Sequence, residues 1–260
     1  MNNWVHDLPI GWLALVVFGF TYSIAAGILI LVTVLAKGER KLAFKAFSPG
    51  MLSPLGIVFG LFVAFTAAQV WTDSERANTA VDREASALRT VVVLAATFPG
   101  ETESRLRTLV RRYIEQAAAQ EWPAMAQGTA TLRFAPPSLV EALHLTLALT
   151  PSSEGQKNAL GGIATALETA FEARRQRIII SHSQVNVVKW FCLFVQAAVA
   201  LFATALVHHD NRLTSVIAMG LFATGVATAV LLIASHDRPF SGEISVGPGP
   251  LLQVLPEAKT

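Results

Sequence analysis

The 260-residue chain carries 53% apolar and only 15% charged residues, a formal net charge of +2 and a mean hydropathy of +0.50. A soluble domain usually carries about a quarter charged residues, so most soluble-enzyme classes are excluded at once, and so small a net charge offers no nucleic-acid surface. The single cysteine, Cys192, excludes an intrachain disulfide and a cysteine-based metal site.

Four charge-poor stretches stand out: Trp12–Ala36, Pro54–Val70, Trp190–Val207 and Leu213–Ala234. Each approaches or exceeds the ~17–25 residues that an α-helix needs to cross a ~30 Å hydrocarbon core. The first seven residues lack the basic leader of a secretory signal, and the apolar run after them is longer than a ~7–15 residue signal core. The run is therefore expected to be a retained spanning helix, about 11–36. Trp4, Trp12, Trp71 and Trp190 fall near span ends, where an interfacial aromatic belt is expected. A short basic loop with Lys37, Arg40, Lys41 and Lys45 follows the first span.

Pro54 suits the first turn of the second helix, about 54–71. Its pattern does not stop at the membrane: Ala77, Val81, Leu88 and Ala95 keep helical spacing, which predicts one continuous helix to about Thr97, ended by Phe98-Pro99-Gly100. Leu106, Leu109, Tyr113 and Ala117 mark the next helix, closed by Trp122-Pro123. Pro136-Pro137 opens another, with Leu139, Leu143 and Leu147 inward. Ser153 and Gln156 have the spacing of a capping box for a helix bearing Leu160, Ile163, Leu167, Phe171 and Ile178, which is expected to run on toward the third span. Strand signals are absent, and the Gly/Pro-rich end reads as extended.

The expected fold is an all-α membrane protein with four transmembrane helices in two hairpins and an inserted helical-bundle domain. Residues 1–71 form the first hairpin and 72–184 the extramembrane helical domain. Residues 185–235 form the second hairpin, with helices about 186–207 and 213–234, and 236–260 form the extended tail. Cations of the short loops, with Arg212, place the middle domain outside the cell by the positive-inside rule, whereas Arg76, Arg83, Arg89, Arg174, Arg175, Arg177 and Lys189 at its membrane-near ends oppose that orientation.

No nucleophile–base pair, metal-ligand spacing or Gly-rich phosphate loop is present, so no catalytic, cofactor or metal residue is assigned. His208-His209-Asp210 reads as a polar turn between two spans. The spans hold no Asp, Glu, Lys or Arg at their centres, which disfavours a transporter but not a channel, whose constriction can be apolar and gate by dewetting. The second helix carries two patterns. Gly56, Gly60, Ala64 and Ala68 recur at four and form a small-residue face for close helix contact. Phe59, Phe62 and Phe65 recur at three. Phe59, Phe62 and Thr66 are the candidates for a pore neck, against the alternative of a close-packed helix with lipid-facing aromatics. Arg83 and Glu84 are candidates for an ion vestibule, against the alternative of inter-helix ion pairs.

Several segments then carry a resemblance: Val81-Asp-Arg-Glu-Ala-Ser-Ala-Leu, Glu121-Trp-Pro-Ala-Met-Ala-Gln-Gly, Ala173-Arg-Arg-Gln-Arg and His236-Asp-Arg-Pro-Phe-Ser-Gly-Glu-Ile-Ser-Val. In this order, across nearly the whole chain, they are similar to a bacterial membrane family labelled bestrophin-like. Bestrophins are pentameric anion channels with four spans, a helical cytosolic domain and second helices that line a phenylalanine-rich neck. The resemblance thus implies a cytosolic middle domain, contrary to the short-loop charge count. The acidic calcium clasp of animal bestrophins has no clear counterpart here.

The expected function is an oligomeric, anion-conducting channel of the bacterial inner membrane, with ions, lipid and further copies of the chain as partners. The alternative is a membrane-anchored sensor or scaffold whose helical domain, through the stretch from Ala77 to Ala95 and the long helix ending at Ile180, binds a protein partner.

Overall fold

The computed structural model describes residues 8–36 and 48–256, and every regular element among them is helical. Trp4 and the basic loop of Lys37, Arg40, Lys41 and Lys45 lie outside the described residues. In chain order the helices are α1 (Ile10–Leu35), α2 (Leu52–Ala95), α3 (Glu101–Gln116), α4 (Trp122–Ala126), α5 (Pro137–Ala148), α6 (Glu154–Ser181), α7 (Val187–Val207), α8 (Arg212–His236) and α9 (Gly249–Gln253). A 3-10 turn, Pro49–Met51, precedes α2. Four helices, α1, α2 with that turn, α7 and α8, are long and apolar enough to cross a membrane.

The chain divides into two compact units, Met1–Thr72 with Gln184–Asp237, and Asp73–Ser183 with Arg238–Thr260. The 44-residue α2 contributes to both. In the first unit α7 and α8, joined by residues 208–211, pack on each other and on α1. One apolar cluster joins Phe59 and Val70 of α2 to Trp190, Leu193 and Ala197 of α7 and Val226, Val230 and Ile233 of α8. A second joins Ala25 and Val32 of α1 to Leu201 and Ala205 of α7 and Met219 and Ala223 of α8. Lipid is as apolar as these side chains, so close packing and inter-helix hydrogen bonds hold such contacts rather than water exclusion. Tyr22 and Thr224 supply one such bond at 2.7 Å. Trp12 and Trp71 are exposed, as a belt requires, whereas Trp190 is buried and stacks on Phe194 at 5.8 Å.

The second unit is a helical bundle with an apolar core from α2, α3, α5 and α6 that includes Val81, Leu88, Leu106, Tyr113, Leu139, Ile163 and Leu167. Each such large side chain, fully buried, contributes on the order of 1.5–3 kcal/mol. Gly100, at φ +89°, makes the turn from α2 into α3 that a side chain would strain.

Four sequence expectations change here. Trp122-Pro123 does not close the helix begun at Glu101. A π turn over Ala117–Glu121 adds one residue before Pro123, so the missing N–H and the ring are accommodated and helix resumes as α4. Ser153 caps α6 by accepting the Gln156 N–H at 3.2 Å, but the Gln156 Oε1 accepts from the Ser152 N–H and hydroxyl instead of closing the box on Ser153. Nor does α6 run on into α7. It stops at Ser181, Asn186 caps α7 through the Val188 N–H, and the Asp237 carboxylate accepts the Val185 N–H at 2.6 Å. The C-terminal segment is not simply extended either. Leu251 of α9 is fully buried, Phe240 meets Trp122 edge-on at 6.2 Å, the Trp122 indole N–H donates to the Val246 carbonyl at 3.0 Å, and Arg111 donates to the Pro256 carbonyl.

Candidate functional site

Along its membrane half α2 has two unlike faces. One packs within its own unit. Phe59 is 9% exposed and lies 6.0 Å from the ring of Phe222, Phe62 is half-buried against the same cluster, and buried Thr66 donates its hydroxyl to the Phe62 carbonyl at 2.9 Å. A hydroxyl that bonds back to its own helix can be buried among apolar neighbours without cost from an unmet donor. Of the three residues proposed from sequence as a neck, Phe59 and Phe62 therefore pack in the cluster with α7 and α8 of the same chain, and Thr66 is buried.

The other face of α2 is largely open in the described chain. Ile57, Leu61 and Phe65, at successive steps of four, are 66%, 56% and 68% exposed. Beside them Gly60, Ala64 and Ala68 are exposed, and a Cβ placed on Gly56 or Gly60 would meet no atom within 4 Å. The small residues are thus not consumed by packing inside the subunit.

In the second unit the structure separates Arg83 from Glu84. Arg83 is exposed and lines an open cavity of about 520 Å³ with Ser86 and Thr90 of α2 and Thr165 and Thr169 of α6. Thr90 and Thr169 donate their hydroxyls to carbonyls of their own helices, leaving the Arg83 guanidinium as the charged donor in that groove.

Glu84 is fully buried instead. Its carboxylate takes a two-pronged contact from Arg177, with Nε at 2.8 Å and Nη2 at 3.1 Å. The same Nη2 reaches Glu121 at 2.9 Å, and Arg174 binds the other Glu121 oxygen at 2.6 Å through Nη2. Tyr113 donates its hydroxyl to Glu84, the Arg177 guanidinium lies 4.3 Å from the Trp122 ring centre, and Met125 sulfur is 3.4 Å from Nη1. Two cations and two carboxylates cancel, and planar guanidinium geometry satisfies both partners. Burial, reinforced by the Glu84 charge, pushes the Tyr113 phenol well above its ordinary range. Burial opposes the charge on Arg177, yet Glu84 outweighs it and holds the guanidinium above its usual value. A neutral, saturated cluster of this kind ties α2, α3, α6 and the π turn together. It has no free acid, base or ion-attracting charge, so Glu84 is a packing residue rather than a vestibule one.

The sequence carried a signal for this cluster. Glu84 falls three residues after Val81 and four before Leu88, on the apolar stripe of α2, and Arg177 falls four after Ala173 on the buried stripe of α6. Opposite charges on two inward faces mark a buried pair. The part played by Tyr113, Glu121 and Trp122 depends on the π turn, which no periodicity announced. Among the described residues no group of three His, Cys, Asp or Glu is placed to hold a metal ion. His208 and His209 donate Nδ1–H to the Thr204 and Leu206 carbonyls and finish the last turn of α7.

Comparison with known proteins agrees with this architecture. A family model described as Bestrophin-like domain matches residues 19–251, and the chain belongs to the bestrophin-like family. Among solved structures, a leucine-to-threonine variant of a bacterial bestrophin homolog from Klebsiella pneumoniae superposes with a TM-score of 0.72 at 12% identity, over 91% of this chain and 96% of that one. The structure of the Klebsiella pneumoniae homolog solved by zinc phasing gives 0.69 at 13% identity, over 90% and 94%. At such identities the likeness shows the fold. No curated protein sequence matches the chain.

Proposed function

We propose that this bestrophin-like protein is the subunit of a homo-oligomeric, anion-conducting channel of the bacterial inner membrane, a pentamer by analogy with the family. Residues 1–71 and 185–235 supply two membrane hairpins, and 72–184 an inserted helical domain. The observation that carries the proposal is the unpartnered face of α2. A side chain that lines an oligomer's axis must be free of its own subunit, and Ile57, Leu61 and Phe65 meet that condition where Phe59, Phe62 and Thr66 do not. An apolar ring of these residues suits a neck that gates by wetting and drying. Gly56, Gly60 and Ala64 form the adjoining seam on which a neighbouring copy closes.

Anion preference is assigned to Arg83, the exposed cation on the extramembrane half of the same helix, and Glu84 drops out of the vestibule because Arg177 neutralises it. The test is electrical. Purified protein in planar bilayers under a chloride gradient should pass current with a reversal potential on the chloride side, and its particles should show a ring with a central axis. Silent bilayers across salts, pH and voltage, or a monomeric particle that co-purifies with another protein, overturn the proposal.

A further inference from the structure

We infer that the first unit holds a built site for one anionic phospholipid at the end of the membrane where α1 finishes and α8 begins. A cavity of about 620 Å³ opens there, with Ile30 and Val34 of α1 and Val216 of α8 among its apolar walls and Arg212, His209 and Ser215 at its polar end. Arg212 is exposed and forms no ion pair among the described residues. Ser215 is 3% exposed and lines the cavity, and its buried Oγ has no hydrogen-bond partner among the described residues.

The 25-residue α8 points its N-terminus at this place, and the helix dipole favours negative charge there. Asn211 already accepts the Leu213 and Thr214 N–H groups, so the dipole and the Arg212 guanidinium, not free amides, set the preference for an anion. Asp210, two residues before Arg212, lies 3.3 Å from His209 Nε2. A phosphate at Arg212 sits at headgroup depth, because α8's uncharged stretch starts with the next residue, while two turns of α1 offer an apolar wall for an acyl chain. Apolar walls of that extent favour a lipid over a free phosphate. The site is independent of whether the assembly conducts.

The experiment is native mass spectrometry of the whole protein released from nanodiscs of equal phosphatidylglycerol and phosphatidylcholine. The natural chain should retain phosphatidylglycerol selectively. Arg212→Gln should lower that retention about tenfold, the worth of one charge-assisted contact. Val216→Trp, which fills the acyl side and leaves the charge intact, should lower it as well. Both positions are exposed, so neither change endangers folding, and a melting curve checks this. Phosphatidylglycerol selectivity that survives either substitution overturns the inference. So does displacement of the lipid by millimolar inorganic phosphate, which would make the cavity a site for a free anion.

Discussion

Arg177 on α6 grips Glu84 on α2 through two parallel contacts, and neither side chain has any exposure to solvent. The pair is therefore the polar rivet of the second unit's helical bundle. Removing one member leaves the other charge buried and short of a partner, which costs about 3–5 kcal/mol. Glu84→Ala should accordingly melt far below the natural protein in detergent. Glu84→Leu combined with Arg177→Met should recover part of the loss, because two apolar groups of similar size leave no orphan charge. If the single variant melts unchanged, the buried pair is not formed in solution.

Tyr113 adds a pH dependence whose sign follows from its burial. Its phenol is held well above the ordinary value in the folded chain, so the unfolded chain loses that proton first as pH rises. The associated stability is complete below about pH 10 and declines above it, by about 1.4 kcal/mol per pH unit, until the raised folded value is reached. Tyr113→Phe should flatten this alkaline decline. It should also lower stability at neutral pH by about 1.5–3 kcal/mol, the worth of a hydrogen bond to a charged group. Melting temperatures from pH 8 to 11.5 for the two proteins check both parts.

The four spans were legible because length and the absence of charge are properties of one segment at a time, and the long α2 was legible because its apolar spacing continues past Thr72. The face of a span was not. Phe59, Phe62 and Thr66 lie on one side of a helix, and that spacing serves a core and a conduit equally well. Only the positions of Phe222, Trp190 and Val230, far away in sequence, decide that the side belongs to the subunit's own packing. The π turn escaped for a related reason. Pro123 signals a local break, and whether the break ends a helix or widens it depends on what Glu121 gains, here Arg174 and Arg177.

Two adjacent glycines on α6 separate propensity from packing. Gly161 faces open space, so Gly161→Ala should gain about 0.8–1 kcal/mol of helix propensity with nothing lost. A Cβ on Gly162 would come within 2.7 Å of the Leu94 Cδ1 methyl, where α6 crosses α2. That methyl can swing aside for one carbon, so Gly162→Ala should gain less, and Gly162→Leu should cost about 1–3 kcal/mol through overpacking. Thermal melts in the order Gly161→Ala, natural chain, Gly162→Leu bear this out, and equal effects at the two sites contradict the close crossing.

Phenylalanines six residues apart on α2 give the sharpest test of the proposed conducting face. Phe65 is exposed and Phe59 is packed on Phe222. Phe65→Ala removes bulk from an exposed surface, so the melting curve should hardly move while single-channel conductance or open probability changes. Phe59→Ala opens a void between α2 and α8 and should destabilise by about 3 kcal/mol or more, with altered current only through loss of folded protein. The contrast matters more than either number, because a lipid-facing Phe65 would leave current and stability alike untouched. In that event α2 does not surround an axis, and its bare face serves only to hold the protein in the bilayer.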